Sequence, residues 1–292
     1  MSLRGVLNID KPTGITSYDV IRRIKQLVHP QKPTMGHAGT LDPLASGVLL
    51  VLVGEATKAS RHLMGHDKEY EAEVLFGTRT DTDDLAGQEV ETRPVPGLSS
   101  GEVSVLLGRF TGDIEQVPPR FSALKQAGTP QYRLAREGRE VASKPRAVTV
   151  RRLELLDWTP PRLRLRALVS SGTYIRSLAR DIGEAAGSCA TLAALRRTTS
   201  GGFRLEDSVP LDELTPESVT DRLVPVEDAL ADMTRVPVTD EAARRLLQGQ
   251  VVPVDGAPDE ETVLALTGDR RFLAFAAGKS GKLRTRRVIR AD

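Results

Sequence analysis

Three stretches of the 292-residue chain concentrate side chains able to do chemistry: GVLNIDKPTGITSYDV (5–20), GHAGTLDPLASGVLLVLVGEATK (36–58) and SSGTYIRSLARDIGE (170–184). The middle stretch sets one carboxylate, Asp42, among glycines, small residues and a proline, five positions after His37. A lone carboxylate there can act as a nucleophile or a base. Asp-Pro also starts turns, because the Asp side chain bonds nearby backbone. Arg176 offers a planar fork that fits a carboxylate, or a plain surface charge. Tyr70, in KEYEA, is either a packing residue or a ring for stacking. His37 reads equally as a surface histidine.

Other motifs fail on spacing. GKSGK (278–282) lacks the glycine of a phosphate loop, since position 273 is Leu. HLMGH (62–66) has two histidines four apart, but Leu63 stands where a metalloprotease helix needs Glu. DTDDLAGQEVET (81–92) has Ala86 and Thr92 where a calcium loop needs Gly and Glu. Cys189 has no neighbouring His or Lys to activate its thiol, and it reads as a packed side chain.

The elements that must position these residues follow from periodicity. Val20, Ile21, Ile24, Leu27 and Val28 are spaced as one helical face, with Thr16 or Ser17 as N-cap. Gly36 to Gly47 reads as a loop running into a buried strand, VLLVLVG (48–54). KEYEAEVLFG (68–77) alternates like a half-buried strand, and RAVTVRRLELLDW (146–158) and RLRLRALVSS (162–171) form two more, joined by Pro160-Pro161. TYIRSLARDIGEAAG (173–187) is an amphipathic helix stopped by Gly187, and YRLAREG (132–138) reads as another helix. Strands with separated helices predict an α+β fold: a mixed, mostly antiparallel sheet flanked by helices. The last 60 residues read as a small β-rich module, which gives domains at 1–232 and 233–292.

Hydrophobic residues at 39% and charged residues at 27% are those of a globular protein, and no apolar run reaches membrane-spanning length. MSLRGVLNID lacks the apolar core and cleavage site of a secretory leader, and a single cysteine allows no internal disulfide; together they predict a reducing cytoplasm. The net charge of +2 hides polarity: residues 120–152 carry nine Lys/Arg against two acids, and residues 270–290 carry eight and none. Two basic segments on an acidic body predict a polyanionic partner such as nucleic acid.

Taken together, the three stretches closely resemble the TruB family of bacterial tRNA pseudouridine synthases. PPRFSALKQAG and YRLAREG are also family-like. The resemblance is strong over about residues 4–230 and looser over the C-terminal segment, which is similar to the family's PUA-like RNA-binding module. It implies the pseudouridine synthase fold with a basic RNA-binding insert at about 118–147. It implies isomerisation of the T-loop uridine at tRNA position 55. By resemblance, Asp42 is the catalytic aspartate, Arg176 its partner, Tyr70 the ring that stacks on the base, His37 a residue accommodating the flipped base, and Leu195 an apolar wall. Tyr174, beside Arg176 in GTYIRSLA, joins the substrate-binding set. Lys125, Arg133, Arg136 and Arg139 of the insert, with Lys282, Arg284, Arg286 and Arg287 of the tail, are expected on RNA phosphates. The chain departs from the family at Gly128-Thr129-Pro130-Gln131, where a basic residue is usual.

The implied reaction is redox-neutral, so no cofactor and no metal is expected. The expected partner is the T-arm of tRNA, with no membrane and with the chain as a monomer. A non-catalytic RNA-binding or RNA-folding protein would use the same basic surfaces. A nucleotidyltransferase built on His37 is a weaker rival, since it lacks a second paired histidine.

Overall fold

The computed structural model describes residues 3–122, 125–126, 129–131, 133, 143–268 and 271–289. In chain order, β1 (Gly5–Lys11), α1 (Ser17–Leu27), β2 (Met35–Ala38) and β3 (Ala45–Val53) precede α2 (Ser60–Gly65) and β4 (Lys68–Phe76). Next come a hairpin of β5 (Thr78–Thr80) and β6 (Glu89–Thr92), then α3 (Ser100–Gly108), β7 (Gly112–Gln116), and the short β8 (Lys125–Gln126) and β9 (Thr129–Pro130). The long pair β10 (Arg146–Thr159) and β11 (Arg162–Val169) leads to α4 (Ile175–Ala185), β12 (Ala190–Ser200), β13 (Phe203–Arg204) and β14 (Val209–Pro210). The chain continues through α5 (Pro216–Asp221), α6 (Val226–Ala229), β15 (Arg235–Pro237), α7 (Asp240–Leu247), β16 (Val251–Pro253), β17 (Val263–Leu266), β18 (Phe272–Lys279) and β19 (Lys282–Val288).

A ten-stranded sheet runs β14-β1-β3-β12-β4-β11-β10-β7, with β13 on β12 and β2 on β3. Only β1–β14 and β3–β12 pair in parallel, so the sheet is mixed and mostly antiparallel. The apolar run of β3 has a simple cause, because both of its faces are covered. Leu49, Val51 and Val53 pack with Val20, Ile21 and Ile24 of α1 and with Leu178 and Ile182 of α4. Val48, Leu50 and Leu52 point the other way, onto Leu63 and onto Leu264, Leu266, Phe272 and Phe275 of the C-terminal strands. Those strands form a separate five-stranded sheet, β15-β17-β18-β19-β16. Its own interior holds Val263, Ala265, Leu273 and Leu283, with Leu246 of α7. Each fully buried Leu or Val contributes about 1.5–3 kcal/mol of hydrophobic stabilisation.

In β4 the alternation separates a buried face from a more exposed one. Lys68, Tyr70, Ala72, Val74 and Phe76 face inward. Glu69, Glu71 and Glu73 face out and pair with Arg152, Arg166 and Arg162 on β10 and β11.

Several sequence expectations need adjustment. Residues 35–38, expected in a loop, form β2, because the apolar edge of β3 offers them a ladder from Met35↔Val53 to Ala38↔Leu50. The N-cap of α1 is Thr16, in a capping box with Asp19, which frees Ser17 for another task. The helix expected at 132–138 lies outside the described residues apart from Arg133. His62 stacks on Phe275, and His66 Nε2 lies 3.2 Å from Asp232 Oδ2, so the two histidines of HLMGH serve packing and a polar contact. GKSGK spans the hairpin turn between β18 and β19. No helix among the described residues is long and apolar enough to cross a membrane.

Candidate active site

Asp42 sits in the turn between β2 and β3, and the first stretch of the sequence holds that turn. Ser17 Oγ accepts from Leu41 N–H at 2.9 Å and donates to Leu41 C=O at 3.0 Å. Gly14 N–H donates to Pro43 C=O at 2.8 Å, and Ala45 N–H donates to Asp42 C=O at 3.0 Å. Lys11 is fully buried, and its Nζ donates to the carbonyls of Pro12 and Ile15 at 2.8 and 2.7 Å. Burial lowers its pKa to about 8, against a rise from nearby Asp42. Ser17→Ala would strand a buried N–H and C=O. It should cost about 1–3 kcal/mol of stability, read by urea denaturation, and an unchanged midpoint would refute the clamp.

Arg176, on the first turn of α4, reaches the turn from across the sheet. Its Nη2 lies 2.9 Å from Asp42 Oδ2 and donates to Phe121 C=O at 3.0 Å. Its Nη1 donates to Thr82 C=O at 3.1 Å and lies 3.6 Å from Asp84 Oδ2. The side chains of Arg176 and Asp84 are each 7% exposed, whereas that of Asp42 is 44% exposed. The guanidinium is therefore anchored on its buried side by Asp84 and two carbonyls, and it presents its remaining edge to an accessible carboxylate. A charge taken out of water needs such partners. Gln116, buried at the end of β7, fixes the entry to α4 by exchanging two hydrogen bonds with the Tyr174 backbone, at 3.0 and 2.7 Å.

Asp42, Tyr70, Tyr174, Arg176 and Leu195 share a cavity of about 340 Å³, together with Lys68, Met64, Phe121 and Arg197. This volume suits a small-molecule-sized group such as a nucleoside. Burial raises the Tyr174 phenol above its ordinary pKa, opposed by a hydrogen bond with Ser122. Lys68 Nζ donates to Met64 C=O and His66 C=O, both at 2.6 Å. Burial first, and the Arg197 charge second, lower its pKa to about 8. The cavity thus offers one accessible carboxylate, aromatic and apolar walls, and several fixed cations. That set can hold a flat polar ring beside a nucleophile or base.

His37 stands apart from the other sequence-selected residues. It lies on β2, half-buried, and does not line this cavity. Burial lowers its pKa, with a further push from Arg197, and its Nδ1 is buried without a hydrogen-bond partner. Lys125 falls in β8, and Arg133 is exposed. Arg136 and Arg139 lie outside the described residues. Lys282, Arg284, Arg286 and Arg287 are exposed along β19. A wider groove of about 680 Å³ runs past Lys282, Arg284 and Arg286 and past Asp259, Glu260 and Glu261, far in sequence from the Asp42 set. Sequence reasoning missed Ser17, Asp84, Gln116 and Arg197, all buried polar side chains whose partners are distant along the chain. No group of three metal-ligating side chains occurs among the described residues.

Comparison with known proteins accords with this geometry. Residues 25–175 match the TruB family pseudouridylate synthase N-terminal domain. Residues 176–257 match the tRNA pseudouridylate synthase B C-terminal domain, and residues 234–289 match a second C-terminal description, pseudouridine synthase II TruB. A tRNA pseudouridine synthase B of Gloeobacter violaceus is 44% identical over 287 residues, covering 96% of this chain and 97% of that protein. Its counterpart in Pseudomonas putida is 40% identical over 299 residues, covering 100% and 97%. Among solved structures, a Cbf5-Nop10-Gar1 complex aligns with TM-score 0.75 and 27% identity, over 98% of this chain and 85% of the other. An H/ACA RNP bound to a substrate RNA containing 2′-deoxyuridine aligns with TM-score 0.74 and 25% identity, over the same shares. The mixed sheet, the β-rich C-terminal unit and these matches agree: the chain belongs to the TruB family of pseudouridylate synthases.

Proposed function

We propose that this chain isomerises the uridine at position 55 in the T-loop of tRNA to pseudouridine, as a cytoplasmic monomer without a cofactor. The observation that carries the reading is the Asp42–Arg176 pair at the mouth of a cavity walled by Tyr70, Tyr174 and Leu195, in a chain of this family. The reaction breaks the bond from N1 to C1′, forms one from C5 to C1′, gives N1 a proton and releases the C5 proton to water. The carboxylate can attack C1′, take the C2′ proton or add to the base at C6. Each route needs a charged oxygen close to the nucleoside, and the cavity supplies one. The target uridine must leave its RNA stack to arrive there, and Tyr70 replaces the lost stacking, worth roughly 1–3 kcal/mol.

Two basic segments of the sequence suit the rest of the substrate. The insert at about 118–147 and the unit at 233–292 would grip phosphates on either side of the flipped base. Exposed Arg284, Arg286 and Arg287 favour this role for β19. Neutralising all three should weaken tRNA binding and flatten its salt dependence by roughly 0.7–0.9 per lost phosphate contact. Filter binding across a salt series reads this, and an unchanged slope would place β19 off the RNA.

The test of the reaction itself uses a tRNA transcript labelled with tritium at uridine C5. Because C5 becomes the glycosidic carbon, turnover releases tritium to water. Release by the wild type and none by Asp42→Ala supports the enzyme. Tight binding with no release by either would favour a purely RNA-binding protein.

A further inference from the structure

At the centre of the large sheet, β12 and β2 share one edge of β3. β12 pairs with its first residues, ending at Arg197↔Gly47, and β2 pairs with its last, beginning at Ala38↔Leu50. The two strands leave a fork at Val48, and the side chain of Arg197 fills it. Arg197 is 1% exposed, and its Nε donates to Val48 C=O at 2.6 Å. Its Nη2 donates to Gly39 C=O at 3.0 Å, the carbonyl that follows β2 and opens the Asp42 turn. Its Nη1 lies 3.5 Å from the Tyr70 phenol oxygen, with the guanidinium carbon 6.0 Å from the ring centroid. Among the described residues no carboxylate comes within ion-pair distance of it. Its backbone is also held tightly, since a Cβ on Gly47, at φ +98°, would collide with the Arg197 carbonyl.

A buried cation held only by neutral oxygens is expensive, and apolar packing would serve stability better. Its three nitrogens instead join the core strand β3 at Val48 to two pieces of the cavity wall, the Gly39 turn and the Tyr70 ring. We propose that Arg197 is a positioning residue of the reaction: it ties the Asp42-bearing turn and the Tyr70 phenol to one buried group, which fixes their separation. The proposal rests on the reaction assigned above. The hydrogen bond from Nη1 to the phenol is at its outer limit here, as is common before substrate is bound, and it shortens when the base seats against the ring. With its oxygen accepting from Arg197, the phenol keeps its own proton directed away from the guanidinium. Lysine carries the charge but lacks the fork, so it cannot meet all three oxygens.

The test is a double-mutant cycle of Arg197→Lys and Tyr70→Phe, with single-turnover pseudouridine formation, tRNA affinity and thermal midpoint measured for each protein. Arg197→Lys should slow the single-turnover rate about 10- to 100-fold, with tRNA affinity within about twofold. In the Tyr70→Phe background the same change should cost at least about fivefold less, because the two residues act as a unit. A purely structural role would give equal losses in both backgrounds, and that result, or a folded Arg197→Lys protein with the wild-type rate, would overturn the proposal. Gly39→Ala supplies a second cycle should the lysine variant not fold, because a side chain at φ +94° strains the turn whose carbonyl accepts from Arg197 Nη2. Its effect should likewise shrink in Tyr70→Phe, and equal losses there count against the proposal. Activity of the wild type and its loss in Asp42→Asn, read in the same assay, separate failure of this inference from failure of the assigned reaction.

Discussion

Asp42→Asn should lower the rate of pseudouridine formation by at least about 10⁴-fold while leaving tRNA affinity within a few-fold. The amide has the shape of the carboxylate and can still accept from Arg176. The guanidinium stays anchored by Asp84 and by the carbonyls of Thr82 and Phe121, so the substitution leaves no buried cation without partners. What is lost is the charge at the one accessible oxygen pair in the cavity. Affinity persists because phosphate contacts elsewhere carry most of the binding of an RNA substrate. Single-turnover kinetics with an unmodified transcript and filter binding read the two quantities separately. A variant with appreciable turnover would remove Asp42 from the chemistry, and one with strongly weakened binding would make it a substrate anchor.

Arg176→Met should damage both stability and turnover. It leaves the buried Asp84 carboxylate without its cation and strands two carbonyls, a loss of about 3–5 kcal/mol for breaking a buried pair. It also frees the Asp42 side chain to adopt other rotamers. Arg176→Lys separates the two effects. It keeps a charge near Asp84 but cannot reach Asp42, Thr82 and Phe121 together, so stability should fall less and the rate should still drop about 10²-fold. Urea denaturation and single-turnover assays check the pair. If Arg176→Lys matched the wild type in rate, the fork would be dispensable and the charge alone would suffice.

The sequence made the central strand legible because β3 is buried on both faces, which leaves a continuous apolar run. It made β4 legible because alternation places glutamates outward and Tyr70 inward. The resemblance of the three motifs to the family pointed to Asp42 and Arg176, although neither residue has a local signature, and the distance of 2.9 Å joins them. The rest depends on register. Arg196 and Arg197 are adjacent and identical in type, yet Arg196 is half-exposed and pairs with Asp10, while Arg197 is buried in the fork of the sheet. Only the pairing of β12 with β3 and β4 decides which side chain points inward. Asp84 and Gln116 escaped for the same reason, since their partners lie 92 and 58 positions away, at the start of α4 and just before it. β2 escaped because its residues, MGHA, have weak strand preference and gain their ladder from β3. His37, in the same motif, sits half-buried on β2 and outside the cavity lining.

Whether this chain modifies the T-loop uridine is read by mass-shifted chemical mapping of pseudouridine in an unmodified tRNA transcript incubated with this protein alone. A single new pseudouridine at position 55, absent with Asp42→Asn, is the predicted result. A transcript that binds but carries no pseudouridine, or carries it only outside the T-loop, would rule out T-loop uridine isomerisation by this chain.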